Sequence, residues 1–182
     1  MTKQHGPWTI QHTRQLYRDD FVEFYEDKVL KPDGEPSSYA VMRMKPGVSV
    51  LAVGADGTAY LTKQFRYAVG RESVEVVSGI IDEGERPEEA ARRELREELG
   101  IEADEWVDLG LIDAVTSQVY CPATVYLARG LKFGETERDS SEEMETVRMS
   151  FAEAVSAVMR GEITHGLSCV LILKADRHLR SK

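Results

Sequence analysis

The chain of 182 residues has little cysteine and no long apolar run, and both absences exclude classes of protein. Two cysteines, Cys121 and Cys169, are too few and too far apart for a disulfide framework or a cysteine-based zinc site. No apolar stretch approaches the roughly 18 residues that a membrane helix needs, and the N-terminus shows no charged-then-apolar leader. We therefore expect a cytoplasmic protein with no membrane partner.

Basic residues are also fewer than acidic residues. The sequence has 23 Lys and Arg against 32 Asp and Glu, which gives a net charge of −9. Because nucleic-acid binding depends on basic side chains that neutralise phosphates, we expect no nucleic-acid partner. A small phosphorylated substrate is compatible with this charge if a divalent cation lies between its phosphates and the carboxylates of the protein.

Hydrophobic periodicity predicts strands in the first half of the chain, one embedded helix, further strands and two closing helices. The helix at Pro87–Leu99 is bounded by a proline suited to a first turn and by Gly100 just past its end. The pattern favours an α/β (α+β) sandwich. Strands are expected at 8–30 (two strands), 39–44, 48–54, 58–66, 73–77, 105–113, 119–129 and 144–149, and the closing helices at 151–160 and 167–180.

Three carboxylates share one face of the embedded helix. At about 100° per residue, Glu94, Glu97 and Glu98 fall within an arc of about 100°. The like-charge pair Glu94 and Glu98, four residues apart, disfavours an isolated helix. A run of Glu and Arg on a helix is usually a solvated face. Three convergent carboxylates also suit a hard divalent cation, and the residue spacing must decide between the two interpretations.

Elsewhere on the same helix, the sequence pairs opposite charges four residues apart. Glu88 is expected to pair with Arg92, and Glu89 with Arg93. The helix is therefore electrostatically balanced except on the face that carries the three carboxylates.

The spacing around the helix fits the pattern G-x5-E-x7-R-E-U-x-E-E-x-G-U, in which U is aliphatic. All nine specified positions are filled within 23 residues, so agreement by chance is negligible. This pattern is the Nudix box, and the chain resembles Nudix hydrolases. The matching residues are Gly79, Glu85, Arg93, Glu94, Leu95, Glu97, Glu98, Gly100 and Ile101.

The resemblance implies a Nudix α/β/α sandwich with a mixed sheet, and hydrolysis of a nucleoside diphosphate linked to another group. The implied cofactor is Mg²⁺, with Mn²⁺ as the alternative. The implied metal ligands are Glu94, Glu97, Glu98 and the backbone carbonyl of Ser78, and Glu97 is also counted among the catalytic residues.

The remaining box residues are expected to support this site. Arg93 and Glu85 would form an ion pair that fixes the preceding loop against the helix, and Gly79 opens the box.

The sequence around the box resembles the ADP-ribose and nucleoside-diphosphate-sugar pyrophosphatase branch. Members often carry a Gln-Tyr/Phe-Arg element before the box, here Gln64-Phe65-Arg66. Arg66 could bind phosphate oxygens in bidentate fashion, or form an ordinary surface ion pair, and Arg43 is a second candidate for substrate binding.

The acidic loop at Glu135–Glu143 is expected to supply the general base. In the resembling branch a Glu of this loop activates or orients the water, and Glu142 or Glu143 is the expected residue. Glu135, Glu137 and Glu145 are competitors, and an ordinary solvated loop is the alternative.

Residues 1–45 are expected to form an N-terminal β-strand extension, and residues 46–182 the Nudix hydrolase domain. In the resembling branch such strands exchange between two subunits, which implies a homodimer whose N-terminal strands help to wall the nucleotide site. One departure concerns residues 115–122, where the proline of the ADP-ribose-type turn is missing near Thr116 and Pro122 comes late.

The function predicted is Mg²⁺-dependent hydrolysis of a nucleoside diphosphate sugar, ADP-ribose first among the candidates, to a nucleoside monophosphate and a sugar phosphate. Because this proline is missing, other nucleoside diphosphate derivatives stay among the candidate substrates. The alternatives are a housecleaning hydrolase of (d)NTPs or dinucleotides, and a non-catalytic module that senses a nucleotide.

Overall fold

The computed structural model describes residues 2–136 and 143–181. It contains twelve strands, three α-helices and a single 3-10 turn at Tyr67–Val69. The strands are β1 (Lys3–His5), β2 (Trp8–Arg18), β3 (Val22–Leu30), β4 (Pro36–Met44), β5 (Gly47–Val53), β6 (Thr58–Arg66), β7 (Arg71–Glu75), β8 (Val77–Ile80), β9 (Ile101–Asp113), β10 (Val119–Tyr120), β11 (Pro122–Phe133) and β12 (Met144–Ser150). The helices are α1 (Pro87–Leu99), α2 (Phe151–Arg160) and α3 (Gly166–Leu179).

The chain divides into two compact units. The N-terminal unit contains the residues up to Pro46 together with Asp113–Pro122. Its five-stranded sheet has the order β1-β2-β3-β4-β10, with β10 parallel to β4 and the other pairs antiparallel.

The second unit contains Gly47–Ile112 and the residues from Ala123 onward. Its seven-stranded sheet has the order β12-β6-β5-β11-β9, with β7 paired to β6 and β8 paired to β5. The sheet is mixed because β11 runs parallel to β5, whereas β6 and β8 run antiparallel to it.

The central strands of this sheet are buried on both faces. In β5, Leu51 and Val53 join one apolar cluster with residues of α2 and α3, whereas Val50 and Ala52 join a second cluster with residues of α1. Alternate residues of a strand point to opposite faces, so the two clusters are two layers of core. The second unit is therefore an α/β/α sandwich, and the predicted fold class is confirmed.

Local signals set the helix ends correctly. Helix α1 begins at Pro87 and ends before Gly100, whose φ of 63° is the left-handed conformation that glycine adopts readily. Ala91, Leu95 and Leu99, spaced four residues apart on one face of the helix, are buried. Helix α2 begins after Ser150, whose hydroxyl accepts a hydrogen bond from the Glu153 backbone N–H at 3.1 Å.

Several strand ends differ from those predicted from the sequence. Strand β9 begins at Ile101, directly after the turn at Gly100, rather than near residue 105. The single strand expected at 119–129 is two, because β10 pairs with β4 in one sheet and β11 with β5 in the other. The apolar run 73–77 is likewise shared between β7 and β8, and β1 was not predicted.

None of the helices in the described chain has the length and apolar composition needed to span a membrane.

Candidate active site

Arg93 is the centre of the polar network around α1. Its Nε and Nη2 each donate to a Glu85 carboxylate oxygen at 3.0 Å, and Nη2 also donates to the Ile80 carbonyl at 3.0 Å. Its Nη1 donates to Glu94 at 2.6 Å and to Glu97 at 3.3 Å. One guanidinium thus ties the loop before the helix to two of the carboxylates on it.

The ion pair between Arg93 and Glu85 favours the charged form of both partners. The hydrogen bond from Arg93 lowers the pKa of Glu85, and the same bond raises the pKa of Arg93. The Glu85 carboxylate also accepts from the Asp82 backbone N–H at 3.1 Å, which closes the loop on itself.

The expected pair between Glu89 and Arg93 is wrong. Glu89 instead accepts from the Arg86 backbone N–H and guanidinium, with distances of 2.8 to 3.0 Å. Arg93 lies against Glu85 because a bidentate carboxylate bond is stronger than an exposed ion pair four residues away. The other expected pair, Glu88 with Arg92, is present at 2.8 Å.

The three box carboxylates lie on the inner side of the helix. The side chains of Glu94 and Glu97 are 13% and 33% exposed, and Glu98 is buried. Within residues 2–136 and 143–181, no three carboxylate, His or Cys side chains converge closely enough to hold a metal ion. Here the Arg93 guanidinium lies between Glu94 and Glu97.

Gly79 makes room for one of these carboxylates. A Cβ built on Gly79 would overlap the carboxylate of Glu94, so only glycine allows this close approach to β8. The carbonyl of Ser78 belongs to the peptide bond that joins Ser78 to Gly79. Carboxylates and a backbone carbonyl are the oxygen donors that a hard divalent cation prefers, so the residue types at this place suit such an ion.

A hydroxyl pair holds the strand that supplies this carbonyl. Ser78 on β8 lies opposite Ser49 on β5, and their hydroxyl oxygens are 2.8 Å apart. Ser49 is fully buried, so the pair satisfies two hydroxyls inside the sheet.

The acidic loop starts and ends near predicted site residues. At its start the Gly134 N–H donates to the Gly100 carbonyl at 2.7 Å, two residues beyond Glu98. At its end Glu143 is exposed and precedes Met144, which pairs with Gln64 of the Gln64-Phe65-Arg66 element. Glu142 and Glu137 lie outside the described residues.

The two candidate substrate arginines lie in different units. Arg66 ends β6, and its Nε and Nη2 donate to the two carboxylate oxygens of Glu75 at 3.1 and 2.6 Å. Arg43 is on β4 in the N-terminal unit, with its guanidinium carbon 4.9 Å from the ring centroid of Tyr25.

Glu75 was not among the predicted site residues, although a lone Glu within the apolar run 73–77 is a signal that could have indicated it. Burial is the largest influence and opposes ionisation, but the contacts with Arg66, His165 and Ser73 together outweigh burial, so the pKa of Glu75 is lowered. His165, just before α3, has its Nδ1 at 3.4 Å from the same carboxylate.

The turn that lacks the expected proline is held by hydrogen bonds within the N-terminal unit. The Tyr39 hydroxyl donates to the Ser117 carbonyl, and the Met42 N–H donates to the Gln118 carbonyl at 2.8 Å. Strand β4 therefore fixes the turn without the φ restriction of proline.

Comparison with known proteins identifies the family. The NUDIX domain model matches residues 43–166, which is well over half of the chain. The chain therefore belongs to the Nudix family and is a Nudix hydrolase.

Two curated relatives extend the similarity well beyond the box. An ADP-ribose pyrophosphatase of Mycobacterium tuberculosis is 33% identical over 150 residues, covering 81% of this chain and 72% of that protein. An ADP-ribose pyrophosphatase of Bacillus subtilis is 29% identical over 158 residues, covering 82% of each. The predicted resemblance to this branch is thereby confirmed.

A solved structure supports the fold. A crystal structure of ADP compounds hydrolase superposes with a TM-score of 0.85 at 21% identity, covering 98% of this chain and 97% of that one.

Proposed function

We propose that the protein hydrolyses the diphosphate bond of a nucleoside diphosphate sugar, with ADP-ribose as the main substrate, and releases AMP and a sugar phosphate. The observation that carries this proposal is the similarity to two ADP-ribose pyrophosphatases over 81% and 82% of the chain. The box defines the reaction class, whereas the substrate is selected by residues around it. Similarity along most of the chain therefore favours a shared substrate.

The proposed cofactor is Mg²⁺, held by Glu94, Glu97, Glu98 and the Ser78 carbonyl, with Mn²⁺ as the alternative. All four are oxygen donors, which both ions prefer. When bound, the ion would neutralise charge on the diphosphate and make a bound water more acidic. The close approach of Glu94 to Gly79 on β8, next to the Ser78 carbonyl, supports this assignment.

The residues of the chain then have distinct tasks. Arg93 and Glu85 fix the loop before the helix, so that the carboxylates keep their places. Arg66 binds phosphate oxygens, and Arg43 is the second arginine proposed for the substrate. Glu142 or Glu143 accepts the proton of the attacking water, and the exposure of Glu143 beside the β12 pairing with Gln64 is compatible with this task.

Phosphorus NMR with Mg²⁺ tests the proposed reaction. We expect ADP-ribose to be converted to two phosphate monoesters, AMP and ribose 5-phosphate, faster than ADP-glucose, GDP-mannose, NADH, Ap4A or dNTPs. Chelation of the metal should stop the reaction, and added Mg²⁺ should restore it. Cleavage of dNTPs alone would instead indicate a housecleaning hydrolase.

The N-terminal sheet is proposed to form the interface of a homodimer, and to help wall the nucleotide site. Of residues 2–46, all described, only Asp27 and Val29 are buried. Leu16, Tyr17 and Phe21 are instead exposed. A sheet needs an apolar face packed against something to be stable, and a second copy of the same unit would provide it.

Light scattering coupled to size exclusion tests the dimer. We expect wild type to elute as two chains of 20.5 kDa each. Leu16→Asp on β2 should raise the dissociation constant at least about tenfold, because a two-fold interface contains the change twice. Leu173 on α3 is about as exposed as Leu16, and Leu173→Asp should leave the dimer intact. Wild type that elutes as a monomer would contradict the proposal.

A further inference from the structure

A buried ion pair lies at the end of β6, outside the box. Glu75 on β7 is 3% exposed, and its two carboxylate oxygens accept from Nε and Nη2 of Arg66 in bidentate fashion. The Arg66 side chain is 41% exposed. Glu75 therefore holds the guanidinium from the protein side, while the arginine remains accessible from solvent.

Helix α3 holds the carboxylate in turn. His165 Nδ1 lies 3.4 Å from Glu75 and 2.8 Å from the Ser168 hydroxyl. Ser168 is fully buried, and its hydroxyl accepts from the Val76 N–H at 3.0 Å. The first turn of α3 is thus bonded to the segment that joins β7 to β8.

These residue types also occur in nucleophile triads, but the geometry excludes that chemistry. A triad needs the nucleophile and the carboxylate on opposite ring nitrogens of the histidine. Here both partners lie on Nδ1, and the serine is sealed from solvent. The cluster of Glu75, His165 and Ser168 can position a group, and Arg66 is the group that it contacts.

We propose that Glu75 is a positioning residue for substrate binding, which fixes the guanidinium of Arg66 in the orientation that receives the diphosphate. The inference rests on the proposed function, since Arg66 must contact the substrate. An arginine held in bidentate fashion has lost its rotamer freedom before the ligand arrives, so less is lost on binding. His165 lies 3.4 Å from the Glu75 carboxylate and is hydrogen-bonded to Ser168, so α3 supports Glu75 through this histidine.

Steady-state kinetics with ADP-ribose and Mg²⁺ test this role, using Glu75→Gln, Arg66→Gln and the double variant. Glu75→Gln keeps the side-chain shape but loses the charge. We expect its KM to rise about tenfold with kcat within about twofold of wild type, the pattern of lost ground-state and transition-state binding alike. In the Arg66→Gln background, Glu75→Gln should raise KM no further, because the two residues act as one unit.

The matched control is Glu72→Gln, three residues earlier on the same strand. Glu72 is exposed and pairs with Lys63 at 2.6 Å, so its replacement should leave both constants unchanged. Melting temperatures show whether each variant is folded. If Glu75→Gln does not fold, Ser168→Ala retains the ion pair but weakens its support, and a smaller rise in KM is expected.

Two results separate the inference from the function on which it rests. A normal KM for Glu75→Gln beside a raised KM for Arg66→Gln overturns the positioning role but leaves the proposed function standing. Additive effects on KM in the double variant lead to the same conclusion. A wild-type protein that cleaves no nucleoside diphosphate derivative overturns the proposed function and, with it, the inference.

Discussion

Glu98→Gln is expected to lower kcat/KM for ADP-ribose at least about a hundredfold, since even changing a residue that only supports a metal ligand costs about 10- to 100-fold. Glu98 is buried on the carboxylate face of α1. Glutamine keeps the shape of the Glu98 side chain, so the variant is expected to fold. The rise in melting temperature on adding Mg²⁺ should shrink, because this gain depends on binding to the folded state.

Glu88→Gln on the same helix is the control for this change. Glu88 occupies an unspecified position of the box and pairs with Arg92 on an exposed face, where both side chains are 47% exposed. Loss of the ion pair between Glu88 and Arg92 should lower the free energy of unfolding by only a few tenths of a kcal/mol, because such pairs contribute about 0.3–0.5 kcal/mol. Turnover should be unchanged. Glu98→Gln activity within twofold of wild type would contradict the proposed metal site.

Gly79→Ala is expected to separate activity from stability. The new Cβ would overlap the Glu94 carboxylate, which is the far end of a flexible side chain and can move aside. The fold should therefore survive, with a melting temperature close to that of wild type. The displaced carboxylate should lower kcat/KM about a hundredfold, the cost that a misplacement of about 1 Å can carry.

Gly166→Ala provides the matched comparison, since nothing lies within 4 Å of a Cβ there and the residue opens α3. Alanine favours a helix over glycine, so this variant should be fully active and at least as stable as wild type. In a Glu94→Gln background, Gly79→Ala should cost much less than alone, because both changes act on one side chain. Full activity of Gly79→Ala would show that the close approach of Glu94 to β8 is not required.

Local signals account for most of what the sequence predicted. Both ends of α1 were placed correctly because Pro87 and Gly100 act on their own backbone, and the carboxylates share a face because helical spacing fixes it. Strand pairing is not local. The switch of the chain between sheets at Cys121 depends on which distant strands, β4 and β5, are available as partners.

The same distinction applies to the site. The box residues lie within 23 positions and could be identified by their spacing. The cluster that holds Arg66 combines Glu75 from the next strand with His165 and Ser168 from a helix about 90 residues further on, as the separation of 92 residues between Val76 and Ser168 shows. No pattern along the chain joins those positions, because only the packing of α3 against the sheet brings them together.

Gly134 and Met144 are each held by backbone contacts to another element of the second unit. The first is bonded to the end of α1 and the second is paired with β6. Insertions and deletions between them need not shift either element, and each doubling of a loop's length costs only about 0.6 kcal/mol. The length of this one segment can therefore be engineered, by insertion or deletion, without rebuilding the helix that carries the box carboxylates.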